Sequence, residues 1–176
     1  MQYVILKKDR LSDFIAAICR DQKVVAPVAK GSNQFAFEEV CSAQKIAVDY
    51  IPTILPPKKY FMPQYETLLE YDTRQGQNMH AVVDLEDMVL FGVHTCDIAG
   101  IQCLNTVFAD RPKDLNYLLK KKHITILGLE CNKYCDEYAS SALMNNELHN
   151  GGYDLCLTDL GDNLIVHVNT YIGSTI

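Results

Sequence analysis

Met88-Val-Leu-Phe-Gly-Val-His94-Thr-Cys-Asp97 decides the fold. Its first seven residues have hardly a polar interruption and read as a strand covered on both faces, the mark of a parallel sheet. Thr95-Cys96-Asp97 then reads as a turn with Asp97 as N-cap. Ile98, Ile101, Leu104, Val107 and Phe108 follow at helical spacing. Asp114–Lys122 predicts a second helix, whose basic last turn suits the negative end of a helix dipole. His123-Ile-Thr-Ile-Leu-Gly-Leu129 returns as a strand. Strand, helix, helix, strand is a crossover, and a crossover lays its two strands parallel in one sheet.

Working outward, Tyr3–Leu6 reads as a strand and Ser12 as the cap of a helix whose apolar face is Leu11, Phe14, Ile15 and Ile18. Val24–Val28 and Gln34–Val40 read as strands about a turn at Lys30-Gly-Ser-Asn33. Ile51-Pro-Thr-Ile-Leu-Pro-Pro-Lys-Lys-Tyr-Phe-Met-Pro63 holds four prolines and is expected to run extended across a surface. Leu68–Tyr71 looks like a strand, and Asp72–Asn78 like a polar loop. Residues 137–148 suggest a further helix. Tyr153–Asp159 and Leu164–Val168 form a hairpin with Gly161 in its turn. The expectation is a single α/β domain over residues 1–176, with a mixed, partly parallel sheet, crossover helices and a C-terminal β-hairpin.

Composition narrows the function. The chain has 176 residues, 48% hydrophobic and 22% charged, which is enough apolar material for a packed core. Its net charge of −6 argues against nucleic acid as a partner, since neutralising phosphates takes clustered Lys and Arg. No apolar run is long enough to span a bilayer. Met1–Lys8 lacks the order of a secretory signal, so a cytoplasmic protein is expected. No G-x-G-x-x-G follows a strand, and G-x-x-x-x-G-K-[ST], G-x-S-x-G and H-E-x-x-H are missing. The common dinucleotide, NTP, α/β-hydrolase and zinc-protease readings lose their main support.

Seven cysteines in such a chain ask for an explanation other than a disulfide scaffold. Ligands of parallel sheets bind beyond the carboxyl ends of strands. Cys96 follows the strand ending at His94, while Cys131 and Cys135 follow the one ending at Leu129. Adjacent strands would put three thiols on one rim. The C-x3-C spacing of Cys131 and Cys135 suits zinc or an iron–sulfur cluster, a redox pair, or two unrelated small residues. Cys19, Cys41, Cys103 and Cys156 are expected to be buried filler. His94 is the histidine best placed for function, and a structural role is its simplest reading.

Several stretches resemble one family. Pro56-Pro-Lys-Lys-Tyr-Phe-Met-Pro63, Phe91-Gly-Val-His-Thr-Cys-Asp-Ile-Ala99, Gly128-Leu-Glu-Cys131, Asp114-Leu-Asn-Tyr117 and Tyr153-Asp-Leu-Cys-Leu-Thr-Asp-Leu-Gly161 are similar to segments of 4Fe–4S dicluster electron-transfer subunits. That family includes the iron–sulfur β subunits of sulfhydrogenases and other hydrogenases, and the corresponding iron–sulfur component of anaerobic sulfite reductase. The likeness is to its N-terminal domain, which precedes a ferredoxin-like half absent from this sequence. The resemblance implies one [4Fe–4S] cluster, with Cys96, Cys131 and Cys135 as its ligands. The family loop commonly continues with two more cysteines, and here those places hold Tyr138 and Ser140. Asp97, His94, a mobile cysteine or an exogenous ligand would then complete the ligand set, unless the cluster has been lost.

The resemblance thus implies a non-catalytic, cytoplasmic electron-transfer component of an anaerobic oxidoreductase of the hydrogenase or sulfite reductase type. Its partners would be other subunits of a redox complex: a flavin or ferredoxin-type donor and a catalytic subunit. The alternatives are a cofactor-free docking module that uses residues 51–63, and a domain stabilised by zinc on the same cysteines.

Overall fold

Met88–His94 forms an inner strand of the sheet, next to its middle one. The computed structural model describes residues 2–72, 78–139, 143–144 and 151–176. Its strands are β1 (Gln2–Lys7), β2 (Lys23–Gly31), β3 (Gln34–Val40), β4 (Leu69–Tyr71), β5 (Met79–Ala81), β6 (Met88–His94), β7 (Ile124–Leu129), β8 (Leu155–Asp159) and β9 (Asn163–Val168). Its helices are α1 (Leu11–Asp21), α2 (Thr95–Ala109), α3 (Leu115–Lys122) and α4 (Tyr171–Thr175). Among the described residues, the main sheet has seven strands in the order β1-β9-β8-β7-β6-β2-β3, and β4 and β5 make a separate pair.

β6 is buried throughout, as its unbroken apolar sequence requires. It pairs in parallel with β2 on one side and β7 on the other, and β7 pairs in parallel with β8. The crossover through α2 and α3 therefore does what its pattern predicts. Antiparallel β9 and β1 close one end of the sheet and β3 the other. The β8–β9 hairpin turns at Gly161, whose φ of +92° lies in the left-handed region.

Two glycines mark close approaches. Gly92, at φ +77°, sits where the β6–β7 register shifts between Phe91 and Val93, beside Pro27 of β2. At Gly128 an added Cβ would lie 2.9 Å from both Cys156 Sγ and Ile98 Cδ1, so α2 packs directly on β7 there. Tyr117 of α3 donates its hydroxyl to Asn105 Oδ1 of α2 at 2.6 Å, and Asp114 caps α3 by accepting the Tyr117 N–H.

The structure differs from these expectations in several places. Ser12 does not cap α1: a 3-10 turn at Lys8–Arg10 runs straight into it, and the Arg10 N-cap makes no side-chain capping bond. Asp97 is not an N-cap either, because α2 begins at Thr95 directly from the end of β6. Asp97 lies in the first turn, where its charge meets the positive end of the helix. The proline-rich segment tightens into a 3-10 turn at Pro57–Tyr60 and buries Phe61. Of the helix expected over residues 137–148, residues 137 and 138 form a turn, while 140–142 and 145–150 lie outside the described residues. Most of the loop expected over residues 72–78 lies outside them too.

Candidate functional site

β6 and β7 end side by side. His94 and Leu129 are direct partners in the ladder. Cys96 follows two residues after one, Cys131 two residues after the other, so both stand at the carboxyl end of adjacent parallel strands. The first turn of α2 fixes Cys96. The Cys131 loop is fastened to β8: the Glu130 N–H donates to Leu157 O at 2.8 Å, Thr158 donates to the Glu130 carboxylate at 2.7 Å, and the Asn132 amide donates to Asp159 O at 2.9 Å. The loop lacks regular structure, and Cys135 is exposed at its outer side.

A tyrosine from outside the crossover completes the rim. Tyr50 lies flat on His94, with ring centroids 3.8 Å apart and planes 12° apart. Its hydroxyl donates to Gly92 O at 2.7 Å, satisfying a carbonyl at the register shift of β6. A cavity of about 340 Å³ opens beside this stack, lined by Tyr50, His94, Glu130, Cys131, Lys133 and Cys135. Lys133 spans its mouth to Asp49 at 2.9 Å.

These groups share one electrostatic environment. Burial, then Cys96, Cys135, Asp97 and Glu130, push the Cys131 thiol up to about 12. Desolvation, then Asp97, also raises Cys96, with Cys135 adding to it. Tyr50 is raised by burial and by Asp97, Cys131 and Cys96. Burial raises the Asp97 carboxyl to about 6, and Lys58 draws it partly back. Burial lowers His94 to about 4, which leaves it a neutral ring near pH 7. Left alone, these thiols hold their protons, and a soft metal would have to displace them.

The donor set fits an iron–sulfur cluster in kind. Cys96, Cys131 and Cys135 are free thiols brought to one rim by neighbouring strands. Among the described residues, no three His, Cys, Asp or Glu side chains converge tightly enough to hold one metal ion. Thiolates suit zinc as well as an iron–sulfur cluster. Asp97 and His94 lie at the same strand end. Tyr138, where the family pattern places another cysteine, is exposed, and Ser140 lies outside the described residues.

The other cysteines divide differently from the expectation. Cys156 is fully buried on β8 and Cys19 packs partly buried against the core, whereas Cys41 and Cys103 are exposed rather than filler. Cys103 lies on a face of α2 turned away from the sheet; Cys41 follows the last residue of β3. Sequence reasoning missed Tyr50 and Lys58. Their one signal is position, Tyr50 just before the proline-rich stretch and Lys58 within it.

The whole chain can be compared with known proteins. It is 33% identical over 173 residues, 98% of its length, to the sulfhydrogenase 2 subunit beta of Pyrococcus furiosus. The chain is thus similar over nearly its whole length to one sulfhydrogenase β subunit. It spans about half the length of that relative. No family model matches it, and no solved structure does. No helix among the described residues is long and apolar enough to cross a membrane.

Proposed function

We propose that this chain is the electron-transfer portion of a hydrogenase-type oxidoreductase complex, with an iron–sulfur cluster held by Cys96, Cys131 and Cys135. The observation that supports the reading is that Cys96 and Cys131 follow the carboxyl ends of two adjacent parallel strands, with Cys135 on the same loop as Cys131. The relation to a sulfhydrogenase β subunit supplies the context. We infer further that the chain corresponds to the domain preceding the ferredoxin-like half of a dicluster protein. Its partners would be a flavin or ferredoxin-type donor and a catalytic subunit, in a cytoplasmic complex. A sulfite reductase assembly is the same reading with another terminal enzyme.

A bound cluster would supply a one-electron store, and the polypeptide would set how readily it fills. Cys96, Cys131 and Cys135 would give up their protons on binding, and the positive charge of the iron would offset the burial and neighbouring charge that raise Cys96 and Cys131. Glu130, Asp136 and Glu137 add negative charge beside the loop and disfavour an incoming electron. Lys133 is engaged by Asp49 and offsets them little. Neutral His94, pinned under Tyr50, closes the inner wall without adding charge. Asp97 or His94 would stand in for the missing fourth thiolate. The exposed Ile51, Ile54, Leu55 and Met62 of the proline-rich segment support a contact with another subunit on the same side of the chain as Tyr50.

Anaerobic reconstitution with ferrous iron and sulfide tests this. The expected product is brown, holds acid-labile sulfide in proportion to iron and bleaches with dithionite. Zinc in metal analysis, or a colourless folded protein after anaerobic loading, would overturn the cluster and leave the zinc-bound or docking reading.

A further inference from the structure

Two cysteines meet far from this rim. Cys19 lies in the last turn of α1, partly buried, and its thiol donates to the carbonyl of Val40 at 3.4 Å. Val40 is the last residue of β3, and exposed Cys41 follows it in a bend. A peptide oxygen and the next Cα lie about 3 Å apart across a planar bond. Cys19 Sγ is therefore within about 6 Å of the Cys41 Cα, so side-chain rotation with a small shift of the exposed bend brings the two sulfurs into disulfide geometry. α1 also packs on the short turn Ala43–Lys45 just beyond, which holds the two segments together. After burial, Cys41 is the cause that raises the Cys19 thiol, as expected for near neighbours. β3 runs antiparallel to β2, and Val40 pairs with Val24 near the start of β2. This pair thus sits at the amino end of the parallel strands, opposite Cys96 and Cys131.

We propose that Cys19 and Cys41 form a dithiol modification site that undergoes exchange with low-molecular-weight disulfides. Exposed Cys41, as thiolate, attacks one sulfur of the external disulfide; that S–S bond breaks and one small thiolate leaves, taking up a proton. The Cys19 thiol then loses its proton and its sulfur attacks Cys41 Sγ. The mixed disulfide breaks, the Cys19–Cys41 bond forms and the second small thiol departs. One external disulfide is reduced to two thiols, and two protein thiols are oxidised to one disulfide. The order follows from access: Cys41 is open to solvent, and Cys19 is partly buried and protonated. The bond would fasten α1 to the start of the segment that carries Tyr50 to His94. It stands independently of any cluster on the opposite rim.

The test incubates the reduced chain anaerobically with oxidised glutathione, blocks free thiols with N-ethylmaleimide and maps tryptic peptides without reduction. Cleavage after Arg10, Arg20, Lys30 and Lys45 separates the two cysteines. The expected main product joins Leu11–Arg20 to Gly31–Lys45 and disappears with dithiothreitol. Cys41→Ser should abolish it and leave Cys19 open to alkylation under denaturing conditions. Cys19→Ala should stop at a glutathione adduct on Cys41; because Cys41 is exposed, its serine variant keeps the test available even if Cys19→Ala does not fold. A stable glutathione adduct on Cys41 of the unaltered chain with Cys19 still free would overturn the proposal. So would a dominant cross-link from either residue to another cysteine.

Discussion

Replacing Asp97 by Asn should change how the stability of the metal-free protein depends on pH, because Asp97 and His94 pull in opposite directions. Burial lowers His94 from an ordinary 6.5 to about 4. A lowered pKa means that the unfolded chain takes up the proton first. The stability from a neutral, buried His94 is complete above pH 6.5 and is lost as pH falls toward 4. At about 1.4 kcal/mol per tenfold change, the full effect is about 3 kcal/mol, of which about 2.5 kcal/mol is gone by pH 4.5. Burial raises Asp97 from 3.8 to about 6, so here the folded chain binds the proton more tightly. That contribution is complete below 3.8 and is lost as pH rises through 6, which returns about 2 kcal/mol on going from neutral pH to 4.5. The two nearly cancel, and in the unaltered chain this pair should move stability by less than about 1 kcal/mol over that range.

Asp97→Asn removes one side of the balance. The variant should be more stable than the parent by up to about 3 kcal/mol at pH 7.5, and by only about 1 kcal/mol at pH 4.5. Every other titrating group acts on both proteins and drops out of the difference. Urea unfolding under reductant at pH 4.5, 5.5, 6.5 and 7.5, followed by circular dichroism, gives that difference directly. His94→Phe keeps a ring against Tyr50 and should tilt the profile the other way, with stability rising as pH falls. Parallel curves for parent and Asp97→Asn would refute the assignment of a buried carboxylate at the rim that Lys58 only partly compensates.

Three further outcomes follow from single contacts. Tyr50→Phe keeps the stack on His94 but leaves Gly92 O without its 2.7 Å donor, so urea unfolding should show a loss of about 1 kcal/mol. Gly128→Ala drives a methyl to within 2.9 Å of Cys156 Sγ and Ile98 Cδ1, which should cost about 1–3 kcal/mol and show as a lower thermal midpoint. Cys156→Ser buries an unpaired hydroxyl and should cost about 1–3 kcal/mol, whereas Cys96→Ser, exposed, should stay within about 0.5 kcal/mol in metal-free protein. After anaerobic loading the pattern should invert: Cys96→Ser loses visible absorbance, Cys156→Ser keeps it, and the reverse result would remove Cys96 from the site.

The crossover was legible because its evidence is local. An unbroken apolar run, two helical periods and a second apolar run leave few topologies once handedness and chain length are imposed. From that alone, Cys96 and Cys131 fall on one rim. The helix start was misread for a related reason. Asp before a periodic stretch looks like a cap, but whether a strand runs into a helix without a turn depends on the neighbours that hold the strand. Here β6 is gripped on both sides, by β7 as far as His94, so α2 can begin at Thr95. Exposure of Cys41 and Cys103 was hidden likewise. A cysteine beside apolar residues is buried only if another element covers it: Cys103 falls off the Ile98 and Ile101 face of α2, and nothing local to Cys41 says what covers the end of β3.

Tyr50 shows where the sequence falls silent, and why that matters for function. Its role comes from chain forty-two positions distant folding back so that one hydroxyl meets Gly92 O. Gly92 is also where the β6–β7 ladder slips, with a positive φ beside Pro27. A slip in a central parallel strand frees backbone groups that must find partners or lose stability. Tyr50 supplies one partner and, in doing so, lays its ring on His94 at the mouth of the cysteine rim. The irregularity in β6, the strap that repairs it and the wall of the candidate site are therefore one structural unit. A change at Gly92 or Pro27 should reach the site through Tyr50.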